Sequence, residues 1–118
     1  MPVTGNSKYY THSVSLTTTS DTDIYVVPDN FSSHIEHFLV SNNDSGGVNY
    51  TLKFYHKDDN TTHTILDSHS VSGKSFESVF TVDKPLFLHA GDKLIVAAGT
   101  ANKLVVTVST EEHFDPNR

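Results

Sequence analysis

Apolar and polar residues alternate along most of this chain, and a period of two predicts strands, not helices. The clearest run is Val48-Asn49-Tyr50-Thr51-Leu52-Lys53-Phe54, which sets Val48, Tyr50, Leu52 and Phe54 on one face. Leu104-Val105-Val106-Thr107-Val108-Ser109 repeats it, with Leu104, Val106 and Val108 pointing inward. Ser13-Val14-Ser15-Leu16 and Ile24-Tyr25-Val26-Val27 carry the pattern near the N-terminus. Residues 35–40, 64–66, 76–82 and 94–98 complete it, and Leu86-Phe87-Leu88 adds one short strand. The expected core is Val26, Leu39, Leu52, Phe54, Leu94, Val96, Val106 and Val108.

Turn chemistry falls between these runs. Ser20-Asp21-Thr22-Asp23 separates the first two strands and Pro28-Asp29-Asn30 closes the second. Asn42-Asn43-Asp44-Ser45-Gly46-Gly47, Lys57-Asp58-Asp59-Asn60 and Ser72-Gly73-Lys74 read as three hairpin loops. Ala90-Gly91-Asp92 reads as a tight turn that needs a positive φ at Gly91, and Gly99-Thr100-Ala101-Asn102 joins the last two strands. The expectation is an all-β antiparallel sandwich of seven to nine short strands, jelly-roll or Ig-like. Residues 8–110 form the domain, with polar arms at 1–7 and 111–118.

Composition supports strands and narrows function. The length of 118 residues fits one domain. Serine and threonine supply 28 of them, which favours strands and turns over helices. The absence of cysteine excludes disulfides, thiolate metal sites and cysteine nucleophiles. It suits assembly in a reducing cytoplasm. No secretion signal or membrane-length apolar run is present, so a soluble protein is expected. A formal charge of −6, with the eight Lys and Arg scattered, argues against nucleic acid and anionic membranes as partners.

Candidate chemistry is thin. Eight histidines occur, at 12, 34, 37, 56, 63, 69, 89 and 113. On a regular strand His34 and His37 point to opposite faces. His56 and His63 flank a hairpin and can face one another, with Asp58 or Asp59 as a third ligand. Polar surface residues are the plainer account, and no metal is expected to be needed for folding. Neither Asn42-Asn43-Asp44 nor Lys57-Asp58-Asp59-Asn60 has the ligand spacing of an EF-hand calcium loop. Ser68-His69-Ser70 lacks the surroundings of a catalytic triad. Glu111-Glu112 falls in the expected tail, away from any pocket. The reading is non-enzymatic, with no catalytic residue, cofactor or metal. A soluble carbohydrate- or ligand-binding module is the alternative, though without tryptophan it must use Tyr9, Tyr10, Tyr25, Tyr50 or Tyr55 as a platform.

Two stretches carry a resemblance. One is Asp23-Ile24-Tyr25-Val26-Val27-Pro28-Asp29-Asn30, followed by Ile35 and Leu39-Val40-Ser41-Asn42. The other is Leu86-Phe87-Leu88-His89-Ala90-Gly91-Asp92-Lys93-Leu94, followed by Ala101-Asn102-Lys103-Leu104 and Val106-Thr107-Val108-Ser109. Their order resembles small β-sandwich virion proteins of tailed bacteriophages, of the marine and cyanophage type. The resemblance implies a capsid decoration (cement) protein or a neck or tail accessory. Its partners would be the major capsid protein or neck and tail proteins, and assembly would take place in the host cytoplasm. The resemblance brings no catalytic residues with it. The polar arms, with Tyr9, Tyr10 and Phe114 close by, independently suit a homo-oligomeric or particle-bound assembly held partly by its termini.

Overall fold

The computed structural model describes residues 7–116, which form nine strands in two antiparallel sheets with no helix. The strands are β1 (Ser7–Ser15), β2 (Thr22–Val26), β3 (Phe31–Asn42), β4 (Val48–His56) and β5 (Thr61–Val71), then β6 (Ser75–Phe80), β7 (Leu86–Leu88), β8 (Lys93–Ala98) and β9 (Leu104–Phe114). Sheet 1 runs β1-β9-β3-β6, with β7 pairing β3 beyond the end of β6. Sheet 2 runs β2-β8-β4-β5.

Sheet membership shows what the turns do. The links after β1, β2, β3, β5, β7 and β8 all carry the chain from one sheet to the other. Lys57-Asp58-Asp59-Asn60 closes the hairpin between β4 and β5 within sheet 2, with Asn60 N–H donating to the Lys57 carbonyl at 3.0 Å and φ of 51° at Asn60. A bridge between Thr81 and Lys84 closes the tight turn between β6 and β7 in sheet 1. The loops at 42–47 and 72–74 are therefore corners between sheets and not the hairpins their residues suggest. Asn42 holds both together. Its amide nitrogen donates to the carbonyls of Gly46 and Val71, each at 2.9 Å, while its oxygen accepts from Asp44 N–H.

The two sheets enclose one core. Leu52, Leu94, Val96, Val106 and Val108 are fully buried there, as the alternation predicts, and Phe54 packs against it partly covered. Two expected members are outside. Val26 is 44% exposed, because a register shift between Asp23 and Tyr25 turns both Ile24 and Tyr25 inward and sends Val26 out. Leu39 faces outward, because a bulge between Ile35 and His37 changes which residues of β3 point in. Ile35 is buried ahead of the bulge, and Phe38 and Val40 after it.

The bounds of the domain also shift. Residues 111–114, expected in a tail, are the end of β9, where 111–113 pair with both β1 and β3 and Phe114 pairs with β3. Ser7, expected in the N-terminal arm, opens β1 opposite His113. The rest of that arm, residues 1–6, and residues 117–118 lie outside the described residues.

Gly91 has the positive φ expected, 85°. The turn around it is built on Asp92, which is 2% exposed. One Asp92 oxygen accepts from His89 N–H at 2.9 Å and the other from Lys57 N–H at 3.0 Å. A buried carboxylate taking two backbone N–H groups fixes this end of the sandwich.

Candidate functional site

Antiparallel pairing sets side chains of one face in rows across the strands. On the outer face of sheet 1 most rows are short and polar. Thr11 lies opposite Ser109 and Ser13 opposite Thr107, each pair joined hydroxyl to hydroxyl at 3.1 and 2.9 Å. One row differs. Tyr9, Glu111, His34 and Phe87 are consecutive cross-strand partners on β1, β9, β3 and β7.

The ends of that row are open and its middle is sheltered. Tyr9 is 68% and Phe87 67% exposed, whereas the His34 and Glu111 side chains are 24% and 17% exposed. The His34 ring stacks on Phe87 with centroids 4.5 Å apart. Its Nδ1 stands 3.9 Å from Glu111 Oε1, and its Nε2 is buried without a hydrogen-bond partner. Glu36, delivered by the β3 bulge, brings a second carboxylate within 4.8 Å of both groups. A hydrogen bond to Glu111 holds the Tyr9 phenol pKa above its ordinary value. His113 Nε2 lies 3.7 Å from Glu111 Oε2 on the far side.

The bulge also corrects the sequence expectation for His34 and His37. Both belong to the outer side of β3, since Ile35 and Phe38 on either side of the bulge are the buried pair. His56 and His63 do not face one another either. His56 pairs with Thr61 and His63 with Phe54, and His56 turns to Asp92 at 3.3 Å. Sequence reasoning missed the cluster of His34, Glu36 and Glu111, because it depends on a bulge and on pairing between strands some 70 residues apart.

Two Tyr–Glu pairs cross between the sheets. Tyr25 of β2 donates to Glu112 of β9 at 2.5 Å, with Ser33 Oγ 3.0 Å from the phenol oxygen. Glu112 is 7% exposed, and thus lies inside the sandwich and not in a tail. On the opposite side Tyr50 of β4 donates to Glu77 of β6 at 2.6 Å, and the other Glu77 oxygen meets His69 Nε2 of β5 at 2.6 Å. Burial first, and the carboxylate partner second, push both phenol pKa values well above their ordinary range.

Beside Tyr25 and Glu112 the two sheets part into a cleft of about 600 Å³, whose walls include Thr11, His12, Val14, Val26 and Pro28. The cleft lies beneath β1, a nine-residue edge strand exposed along most of its length.

The chain matches no protein-family model and no curated protein. Among solved structures it is similar to a chain from the disulfide-linked pili of Bacillus endospore appendages, at 14% identity and a TM-score of 0.56, over 92% of this chain and 87% of that one. It also aligns with a chain of infectious bursal disease virus, Gx strain, at 13% identity and 0.48, and with a pentameric capsid protein from metagenomic phage sequences, at 20% and 0.38. It covers 32% and 63% of the lengths of those two chains, and 96% and 92% of itself. The likeness to the pilus chain is one of fold.

Proposed function

We propose that this protein is a non-enzymatic structural subunit of a tailed-phage virion that assembles with copies of itself through the free edge of β1. The observation that carries assembly is the condition of that edge. Sheets usually blunt their edges with short strands, bulges, charges or proline. β2 and β6 are short strands with register shifts beside them, and β5 has two shifts and a positive φ at Ser68. β1 runs nine residues in unbroken register, with no proline and one charge, Lys8. An unguarded strand of this length is a template for another strand.

The occupant that fits is the β1 of a second copy, antiparallel about a two-fold axis. Centring the pair on Thr11 sets Tyr10 opposite the partner copy's His12 position and Lys8 opposite Val14, so no like charges meet. The two sheets 1 then continue as one. The pilus chain of like fold belongs to a disulfide-linked fibre. With no cysteine, copies of this chain cannot be joined by disulfides.

Placement on a virion rests on the ordered motifs around Val27-Pro28 and Ala90-Gly91-Asp92 that resemble small phage structural proteins. The strand order 1-9-3-6 over 2-8-4-5, crossing sheets at most links, supports the jelly-roll reading. Within that reading the protein is a capsid decoration (cement) protein or a neck or tail accessory. The major capsid protein or neck and tail proteins are its partners. Light scattering on the eluting peak should give a mass of two or more chains, and purified particles should carry density for this domain. A monomer at every concentration, absent from particles, overturns the proposal.

A further inference from the structure

We propose that His34, Glu36 and Glu111 bind a divalent transition-metal ion, with zinc the best match, on the outer face of sheet 1. The proposal stands apart from the assembly reading, since it needs only one copy of the chain. One imidazole nitrogen and two carboxylates are a donor set that zinc accepts, leaving a fourth position for water.

Three observations converge. The first is distance: the three ligand atoms lie within 4.8 Å of one another. The 3.9 Å between His34 Nδ1 and Glu111 Oε1 is too long for a hydrogen bond. Two ligands about 2.0–2.2 Å from one tetrahedral ion stand roughly 3.4 Å apart, so a small rotation of the flexible glutamate side chains would close the cluster around it. The second is charge. Glu36 and Glu111 approach one another half-buried, and no lysine or arginine among the described residues pairs with either. The neighbours of Glu111 are His34, His113 and the Tyr9 hydroxyl, none of them a permanent cation. A divalent ion supplies the missing positive charge.

The third is construction. Stacking on Phe87 fixes the His34 ring, with Nδ1 on the side of Glu111. Glu36 reaches the cluster from the bulged turn of β3, and bulges commonly re-aim a side chain at a functional point. The ligands come from two adjacent strands whose pairing is set by the core beneath, so the site is held in place without the ion. Metal is therefore an addition to this fold and not a condition of it.

Isothermal titration of chelator-treated full-length protein with zinc chloride should show one strong site per chain. His34→Ala, Glu36→Gln and Glu111→Gln should each weaken that site by at least about tenfold. His63→Ala and His89→Ala should leave it unchanged, which separates it from binding at scattered surface histidines. Cobalt in place of zinc should give visible absorption bands that His34→Ala removes. Circular dichroism of each metal-free variant should match the parent, so that lost binding is not lost folding. No saturable site in the parent, or binding that survives both His34→Ala and Glu111→Gln, overturns the proposal.

Discussion

The two long sides of this sandwich are closed by the same chemistry and finished differently. On each, a tyrosine of sheet 2 donates to a glutamate of sheet 1: Tyr50 to Glu77 on one side, Tyr25 to Glu112 on the other. On the Glu77 side the second carboxylate oxygen is taken by His69. The neighbouring corner is sewn by Asn42. On the Glu112 side the tyrosine has Ser33 for company, then the sheets part into the cleft beneath β1. One side is cross-linked by His69 and Asn42 as well as by its Tyr–Glu pair. The other ends at β1, which pairs with β9 along one edge and has no strand on its outer edge among the described residues, and that edge is where the proposed second copy would add its strand.

The comparison presumes a core common to both sides, and the severest test removes part of it. Leu52→Ala opens a cavity at a fully buried site between the sheets. It should cost about 2–5 kcal/mol in a denaturant titration. Both sides should come apart in one transition, followed by Tyr25 and Tyr50 fluorescence in single-tyrosine-deleted variants. Two separate transitions would show that the sides are independent units.

Next in size is the contrast between the glutamates. Glu77→Ala leaves the Tyr50 hydroxyl, on a residue 1% exposed, without its partner, and also strips His69. A buried donor left unmade costs about 1–3 kcal/mol. Glu112→Ala should cost less, because Tyr25 keeps Ser33 and the change relieves the burial of a carboxylate. Denaturation midpoints in the reverse order would mean that the side beneath β1 is the more tightly built of the two.

How far these sides were legible in sequence depends on whether the signal is local. Val48, Tyr50 and Leu52, like Leu104, Val106 and Val108, sit in uninterrupted alternation, and all are buried as the period of two demands. Bulges break that inference. One extra residue near Tyr25 exchanges it with Val26, and another at Glu36 and His37 exchanges Phe38 and Val40 with Leu39. Turn residues announce that the chain reverses but not which sheet it enters, so the corners at 42–47 and 72–74 look like hairpins. Glu111 to Phe114 look like a tail because their strand partners, Tyr9 and His34 among them, are far away in sequence. The Tyr–Glu pairs and the His34 cluster have the same non-local origin.

A gentler probe reads both sides at once. Each tyrosine's pKa is raised in the folded state, so each contribution is fully present below the unfolded value near 10. It is lost as pH rises above that value toward the folded pKa, since the unfolded chain then releases protons that the folded chain keeps. Stability should therefore hold up to about pH 10 and decline above it. Tyr25→Phe and Tyr50→Phe should each flatten the decline. Tyrosinate absorbance rising at pH 10 without loss of the fold, in a variant keeping only these two tyrosines, would show that they are not shielded as described.

The smallest effect on stability should come from Thr11→Lys, and it bears most directly on the open side. Thr11 is exposed on β1 and gives up only a surface hydroxyl contact with Ser109. Surface changes of this kind usually stay within about 0.5 kcal/mol. In the two-fold pairing proposed, however, Thr11 lies at the axis, so the substitution sets two lysines directly opposite one another. Cross-strand partners stand about 4.5–5.5 Å apart, where like charges oppose pairing. A charge on an edge is also the device by which sheets refuse a further strand. The variant should melt with the parent yet elute as a monomer, and high salt should restore part of the association by screening the two charges. Phe76→Ser, on the outer face of sheet 1 but beside the sewn edge of β6, should leave association intact. If Thr11→Lys still forms the parent oligomer and Phe76→Ser does not, copies meet through the side that appears finished, and the reading of the open edge is wrong.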